Sequence, residues 1–346
     1  MTRRCTAVLG LVLLLSGCRE RRSPTARESP TNPADSNYAV APADKLWPDP
    51  APHRAGKVMS GRVRIHYLDF GGMGEPLVFL SGLGSSAHIF DDLAPKFTDR
   101  FRVVALTRRG HAESDHPDTG YTLDTLVADV KAVLDSLQFK RVNLAGHSIA
   151  GAKLTRFAML YPGRVASLTY IDALLQVAGL ERLVAEDTIR VKATEADLGT
   201  YESARGWFER CFFGFWSPAL EADFRLNTTE SATTDTIFRD AVRNPAWRPE
   251  YSRIRAPTLV LHTFATLERR RPCVAKSPDR ERVRRATAFI DEKWRPFQRA
   301  GIEMLRRQRP DARIVELNGH HFLFVSNQNE VVSEMRQFLL NKPTPQ

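Results

Sequence analysis

The amino-acid sequence predicts an α/β protein with a mostly parallel central sheet, helices on both of its faces and an inserted helical cap. Three observations predict it. Short apolar runs alternate with helical stretches from about residue 61 to residue 340, the pattern of parallel strands joined by crossover helices. The alternation breaks between Ala173 and about Arg255, and the interrupting stretch is dense in aromatic residues. Composition supplies the material: of 346 residues 42% are hydrophobic and 26% charged, which excludes disorder as the main state and allows a large core.

The elements follow in order. Residues 63–68 and 77–80 are short strand-like runs, and 101–106 is a third, bounded by charge. Leu123, Leu126, Val127, Val130, Val133, Leu134 and Leu137 fall on one face of a helix. A strand at 142–145 leads into a helix over about 149–161, and further strands are expected at 168–171, 258–261 and 313–317, with a closing helix over about 329–340. Residues from about 282 to 309 have helical spacing, but Pro296 must start, kink or end a helix there. Within the interruption Trp207, Phe208, Phe212, Phe213, Phe215 and Trp216 either pack inside the insertion or contact a ligand, and the pattern leaves both open.

The first stretch reads as an address. Arg3 and Arg4 precede an apolar run over 7–15 and the small pair Ser16 and Gly17, the layout of an export signal, and the run is too short to span a bilayer as a helix. Leu15-Ser16-Gly17-Cys18 resembles the lipobox of bacterial lipoproteins, which implies lipidation of Cys18 and a protein anchored to the extracytoplasmic side of an envelope membrane; ordinary secretion is the alternative. Residues from 19 to about 53 are rich in Pro, Ser, Thr, Arg and Ala and read as a tether. The expected organisation is a signal peptide over 1–17, a lipidated Cys and linker over 18–52, a core over 53–173 plus 252–346, and a cap over 174–251. Of the four Cys, Cys211 and Cys273 remain in the body; whether they meet in a disulfide is open, and no metal-ligand spacing joins them. The net charge of +10 reads as a solvated basic exterior, and Arg269-Arg270-Arg271 and the run 280–285 as solvated faces, or as surfaces that lean on anionic headgroups, with no nucleic acid as partner.

The chemistry centres on Val142-Asn143-Leu144-Ala145-Gly146-His147-Ser148-Ile149-Ala150-Gly151, a strand, a tight turn and a helix start. A serine at such a turn is lifted above the carboxyl edge of a sheet, and the crowding demands small residues two positions either side, here Gly146 and Ala150. The helix N-terminus behind it places backbone N–H groups where an oxyanion would form.

With this motif the chain resembles the α/β-hydrolase superfamily over roughly residues 62–340. Leu80-Ser81-Gly82-Leu83-Gly84 is similar to the family's oxyanion loop, which implies the N–H groups of Leu83 and Ile149 as donors. Arg108-Arg109-Gly110-His111-Ala112-Glu113-Ser114-Asp115 resembles the family's R-G-H-G-x-S segment, whose Arg109 and His111 are read as structural. Val315-Glu316-Leu317-Asn318-Gly319-His320-His321-Phe322 resembles the loop of the catalytic His and selects His321 over His320, with His147 filling a variable position. The acid departs from the pattern, because in many relatives the strand 257–261 runs into a loop with Gly and then Asp, and here the matching places hold Thr263 and Thr266. Some superfamily members carry it one strand earlier, which implies Asp172; Glu268 is the alternative acid. A Ser148, His321 and Asp172 set implies hydrolysis of an ester, lactone, thioester or small amide in a small-molecule acyl substrate, with neither metal nor organic cofactor. A non-catalytic binding or scaffold protein of the same fold is the competing expectation, kept alive by the vacant acid position.

Overall fold

The computed structural model describes residues 51–173, 175–176, 178–187, 191, 193–227 and 248–342. The expected signal peptide, Cys18 and nearly all of the linker lie outside the described residues.

Eight strands form one sheet: β1 (Arg54–Ser60), β2 (Val63–Gly71), β3 (Pro76–Leu80), β4 (Arg102–Leu106), β5 (Val142–His147), β6 (Val165–Ile171), β7 (Thr258–His262) and β8 (Arg313–Glu316), in the order β1-β2-β4-β3-β5-β6-β7-β8. β1 and β2 pair antiparallel, as do β2 and β4, and every later pairing is parallel. The sheet therefore presents the carboxyl ends of β3 to β8 along one edge, where loops of an α/β fold collect ligands.

β1 is the strand that sequence pattern does not disclose. Only Val58 of its seven residues is buried, so it lacks the alternation that marks a half-buried strand. Its pairing rests on the hairpin with β2, closed from Ser60 to Val63 across Gly61, whose φ of 60° suits the tight turn.

The parallel strands are apolar on both faces, and successive side chains enter two different cores. Leu77, Phe79, Val103, Ala105, Leu259 and Leu261 point to one, which the C-terminal helix closes with Val331, Met335 and Phe338. Val78, Leu80, Val104, Leu106 and Val260 point to the other, filled by Val127, Val130 and Leu134 and by Leu154 and Phe157 from the next helix. Those helices are α1 (Leu123–Ser136), capped by the Thr122 side chain accepting from the Thr125 N–H, and α2 (Ala150–Leu160).

After β6 the chain leaves the sheet for α3 (Leu180–Glu186), α4 (Glu195–Leu198), α5 (Tyr201–Trp207), a π-helical turn (Phe208–Phe213) and α6 (Pro218–Asn227). Short helices α7 (Leu267–Arg270) and α8 (Pro272–Ala275) follow β7, then α9 (Arg280–Phe289), a π-helical turn (Ile290–Trp294) and α10 (Arg295–Gln308). Pro296 sits in the first turn of α10, directly after the π-helical turn that joins it to α9. After β8 come α11 (Leu323–Ser326) and α12 (Gln328–Asn341).

The inserted aromatics pack together, and some of them also border a cavity. Phe208 and Phe213 pack into the core that contains Phe322 and Phe324, whereas Trp207 and Phe212 line the cavity described below. Cys211, in the first π-helical turn, is disulfide-bonded to Cys273 in α8 across a sequence separation of 62. The bond ties the insertion to the segment after β7.

This cross-link has a measurable consequence. Alkylation of the folded protein should leave Cys211 and Cys273 unmodified until reductant is added. The double Cys211→Ser, Cys273→Ser variant should lose about 2–4 kcal/mol of unfolding free energy in urea titration.

Candidate active site

Ser148 follows the last residue of β5 with φ of 56°, the left-handed region that a residue bearing a Cβ adopts only at a cost of order 1–3 kcal/mol. The neighbours enforce it. The Ser148 N–H donates to the Ile171 carbonyl at 3.3 Å, and its own carbonyl accepts from the Gly151 N–H at 3.1 Å, the first turn of α2. A Cβ on Gly146 would lie 3.0 Å from Leu154 and 3.1 Å from the Ala150 Cβ, so strand and helix cross only because both positions are small. Gly82 is as constrained, since a Cβ there would stand 2.8 Å from His147 Nδ1 and 3.1 Å from Ser148 Cβ.

His321 lies in the loop between β8 and α11, with Nε2 3.0 Å from Ser148 Oγ and Nδ1 2.5 Å from Asp172 Oδ2. Asp172 is the residue after β6, also left-handed with φ of 39°, and its N–H donates to the Leu261 carbonyl at 2.7 Å. Its second oxygen, Oδ1, accepts from the Thr263 N–H at 3.0 Å. Thr263, in the loop after β7, thus holds the carboxylate that follows the neighbouring strand. Its hydroxyl also donates to the Gly319 carbonyl at 2.9 Å, bracing the loop of the base, and Gln298 Nε2 donates to the Thr263 carbonyl at 3.0 Å. Glu268, the alternative acid, is exposed in the first turn of α7, and its carboxylate has no hydrogen bond to His321.

The N–H groups of Leu83 and Ile149 border the same cavity as Ser148, and among the described residues neither donates to a protein acceptor. The adjoining Gly84 N–H donates to His111 Nε2 at 3.0 Å, so His111 carries its proton on Nδ1, 3.3 Å from the Arg109 carbonyl. Burial holds the His111 pKa well below the ordinary imidazole range, which keeps this acceptor neutral. Arg109 makes a buried two-pronged bond to Asp129, Nε to Oδ2 at 2.6 Å and Nη2 to Oδ1 at 2.5 Å. Arg108 Nη2 donates to the Ser81 carbonyl at 3.4 Å from beneath the loop. The segment after β4 therefore positions the loop 81–84.

Two further histidines support the loop of His321, roles that residue identity alone does not reveal. His147, which is 1% exposed, donates from Nε2 to the His321 carbonyl at 3.0 Å. His320 accepts the Phe322 N–H on Nδ1 at 3.1 Å and approaches the Phe212 carbonyl with Nε2 at 3.4 Å, linking the base's loop to the inserted π-helical turn. Burial is the main cause that depresses both, His147 well below the imidazole range and His320 to about 3, with the nearby His321 adding to each.

The three residues open onto a cavity of about 270 Å³ whose wall is largely apolar, including Leu175, Leu180, Val184, Trp207, Phe212 and Phe297. Groups able to hold a metal ion among the described residues are His53, His88 and Asp91, and His66, His88 and Glu113, with ligand atoms within 4.8 Å of one another. None of these lines the cavity, and His88 is already hydrogen-bonded on Nδ1 to Asp91 at 3.0 Å and on Nε2 to Glu113 at 3.2 Å.

A family model described as the alpha/beta hydrolase fold matches residues 75–264. The AB hydrolase superfamily protein YisY of Bacillus subtilis is 29% identical over 55% of this chain and 74% of its own. The non-heme chloroperoxidase of Streptomyces lividans is 38% identical over 33% of this chain and 42% of its own, so the chain spans less than half the length of that relative. Among solved structures, E-2-(acetamidomethylene)succinate hydrolase superposes with a TM-score of 0.59 at 18% identity, covering 83% of this chain and 99% of that one, a likeness of fold.

The neutral, buried His320 makes acid stability a test of this arrangement. A base with a depressed folded pKa is protonated first in the unfolded chain, so its stabilising contribution is complete above about pH 6.5 and is lost as pH falls toward 3. His320→Asn keeps an acceptor near the Phe322 N–H and does not titrate. Its urea-unfolding free energy should fall less steeply than wild type between pH 6 and 4, by up to about 1.4 kcal/mol per pH unit. Equal slopes would mean that His320 is not held neutral.

Proposed function

The chain belongs to the alpha/beta hydrolase fold family, and from that premise we propose that it is a serine hydrolase that cleaves an ester or related acyl bond. The observation that carries the reading is the continuous chain from Ser148 Oγ through His321 to Asp172, at 3.0 and 2.5 Å. In the proposed reaction His321 Nε2 takes the Ser148 proton as Oγ attacks the acyl carbon. The N–H groups of Leu83 and Ile149 hold the developing oxyanion, and Asp172 holds the His tautomer and the imidazolium. His321 then protonates the leaving group, and water cleaves the acyl-enzyme by the same steps in reverse order. Esters, lactones, thioesters and small amides all fit this chemistry. A serine nucleophile disfavours epoxide and haloalkane hydrolysis, which use a carboxylate in this place. The non-catalytic alternative leaned on the absent acid after β7, and the bond between Asp172 and His321 weakens that support.

Export and lipidation of Cys18 belong to the same proposal. The bond between Cys211 and Cys273 favours an oxidising compartment. Mass spectrometry of the mature protein should find a Cys18 N-terminus bearing acyl chains, and Cys18→Ser should release the protein from membranes. An unmodified, membrane-free mature chain would reduce the proposal to plain secretion.

The activity itself is tested by labelling with a fluorophosphonate. Ser148→Ala should abolish labelling, His321→Ala should reduce it to the background of an unactivated serine, and Asp172→Asn should lower ester turnover by about 10⁴. A folded wild-type protein that neither labels nor hydrolyses simple esters would overturn the reading. Labelling and turnover indifferent to Asp172→Asn would return the acid's role to Glu268.

A further inference from the structure

Arg108 and Arg109 stand side by side just after β4 and are equally buried, each 5% exposed, but their surroundings differ. Arg109 is matched by the Asp129 carboxylate on two of its nitrogens and donates from the third to the Gly120 carbonyl at 3.0 Å. Arg108 makes one hydrogen bond, from Nη2 to the Ser81 carbonyl at 3.4 Å, and its Nε and Nη1 meet no acceptor among the described residues. Burial lowers its pKa to about 10 with no carboxylate to offset it, so the guanidinium is charged at neutral pH.

Such a group lowers the stability of the fold. A buried donor without an acceptor loses its hydration, a buried charge without a counter-ion loses more, and an apolar side chain of similar shape in the same place would lose neither. Departures of this kind concentrate where a site requires them, and the surroundings of Arg108 point to one. Ser81, whose carbonyl it holds, is fully buried and opens the loop 81–84. At the other end of the loop the Gly84 N–H donates to His111 Nε2, and after burial the Arg108 charge is the next cause that keeps His111 neutral and able to accept. Between them Gly82 is pressed against His147 and Ser148, and Leu83 borders the cavity. A fixed positive charge beneath this loop draws carbonyl oxygens toward itself and turns N–H groups away, and with protein in place of water around it the charge is weakly screened.

Resting on the serine hydrolase reading, we propose that Arg108 is a positioning residue of the reaction: its buried, unmatched charge holds the loop 81–84 with the Leu83 N–H toward the cavity and favours the oxyanion that forms there, at the expense of fold stability. Arg108 touches neither substrate nor Ser148, and no proton moves to or from it. It acts through the Ser81 carbonyl and through its field, both in place before substrate arrives, so it favours the charge that develops in the transition state more than the neutral ester that binds. Its loss therefore falls on kcat and not on KM.

The test compares wild type with Arg108→Met, which keeps much of the length and removes the charge, and Arg108→Lys, which keeps the charge. Three readouts are taken on the full chain: kcat and KM for a p-nitrophenyl ester, the rate of fluorophosphonate labelling, and the urea-unfolding midpoint. In Arg108→Met kcat should fall about 10- to 100-fold with KM nearly unchanged, labelling should slow in parallel, and the urea midpoint should rise. Arg108→Lys should recover part of kcat. A role in structural support alone predicts the opposite sign for stability, so a lowered midpoint in Arg108→Met, or its failure to fold, overturns the proposal. Unchanged kcat in a folded Arg108→Met, a loss carried by KM, or no recovery in Arg108→Lys overturns it as well. Each of these outcomes leaves the hydrolase reading standing as long as wild type labels at Ser148 and turns over the ester. Wild type that does neither overturns the hydrolase reading and this proposal with it.

Discussion

The site depends on one close approach, that of β5 to α2 around Gly146 and Ala150. With Leu154 and Ala150 within about 3 Å of where a Gly146 Cβ would stand, the chain has room to turn only through a left-handed residue, and that residue is Ser148. The strain is held by hydrogen bonds on both sides of it, to Ile171 and from Gly151. A loop able to relax would let the serine return to ordinary backbone angles and swing Oγ away from His321. Packing of β5 against buried strands on either side prevents that. The same crowding extends to Gly82, so its loop and Ser148 are positioned by mutual contact and not separately.

The acid shows how little the position within a sheet matters once the geometry is met. β6 and β7 are adjacent parallel strands, and their carboxyl ends lie roughly 5 Å apart, so a carboxylate after either can reach the same imidazole edge. In this chain the proposed acid, Asp172, follows β6, and the Thr263 N–H just after β7 donates to its other oxygen. The left-handed φ of Asp172 turns its side chain toward His321 as the left-handed φ of Ser148 lifts its hydroxyl, so two strained residues on neighbouring strands meet at one histidine. Glu268 is closer in sequence to the usual position but is exposed in the first turn of α7, with no hydrogen bond to His321.

Much of this was legible because parallel strands and their helices carry strong periodicity, and because a nucleophile turn constrains residue size. Seven of the eight strands and the helices against the sheet coincide with apolar runs of the expected period. β1 escaped because its sequence, Arg-Ala-Gly-Lys-Val-Met-Ser, buries one residue and owes its place to a hairpin partner. The pairing of Cys211 with Cys273 escaped because it joins segments whose approach depends on the whole insertion. The supporting roles of His147 and His320 escaped for a related reason. Each acts on backbone groups of distant segments, the His321 carbonyl and the Phe212 carbonyl, and a side chain's choice of backbone partner leaves no periodic trace.

Charge ties these parts together. His321 is 39% exposed at its side chain, while His147 and His320 are buried against it. In the proposed reaction, proton transfer from Ser148 would create an imidazolium that a charged neighbour at 147 or 320 would oppose; burial keeps both neutral. In the same proposed reaction Asp172 stabilises the imidazolium, and a carboxylate held by a backbone N–H and only 9% exposed would do so better than a solvated one, because its charge is screened less by water where the imidazolium would form.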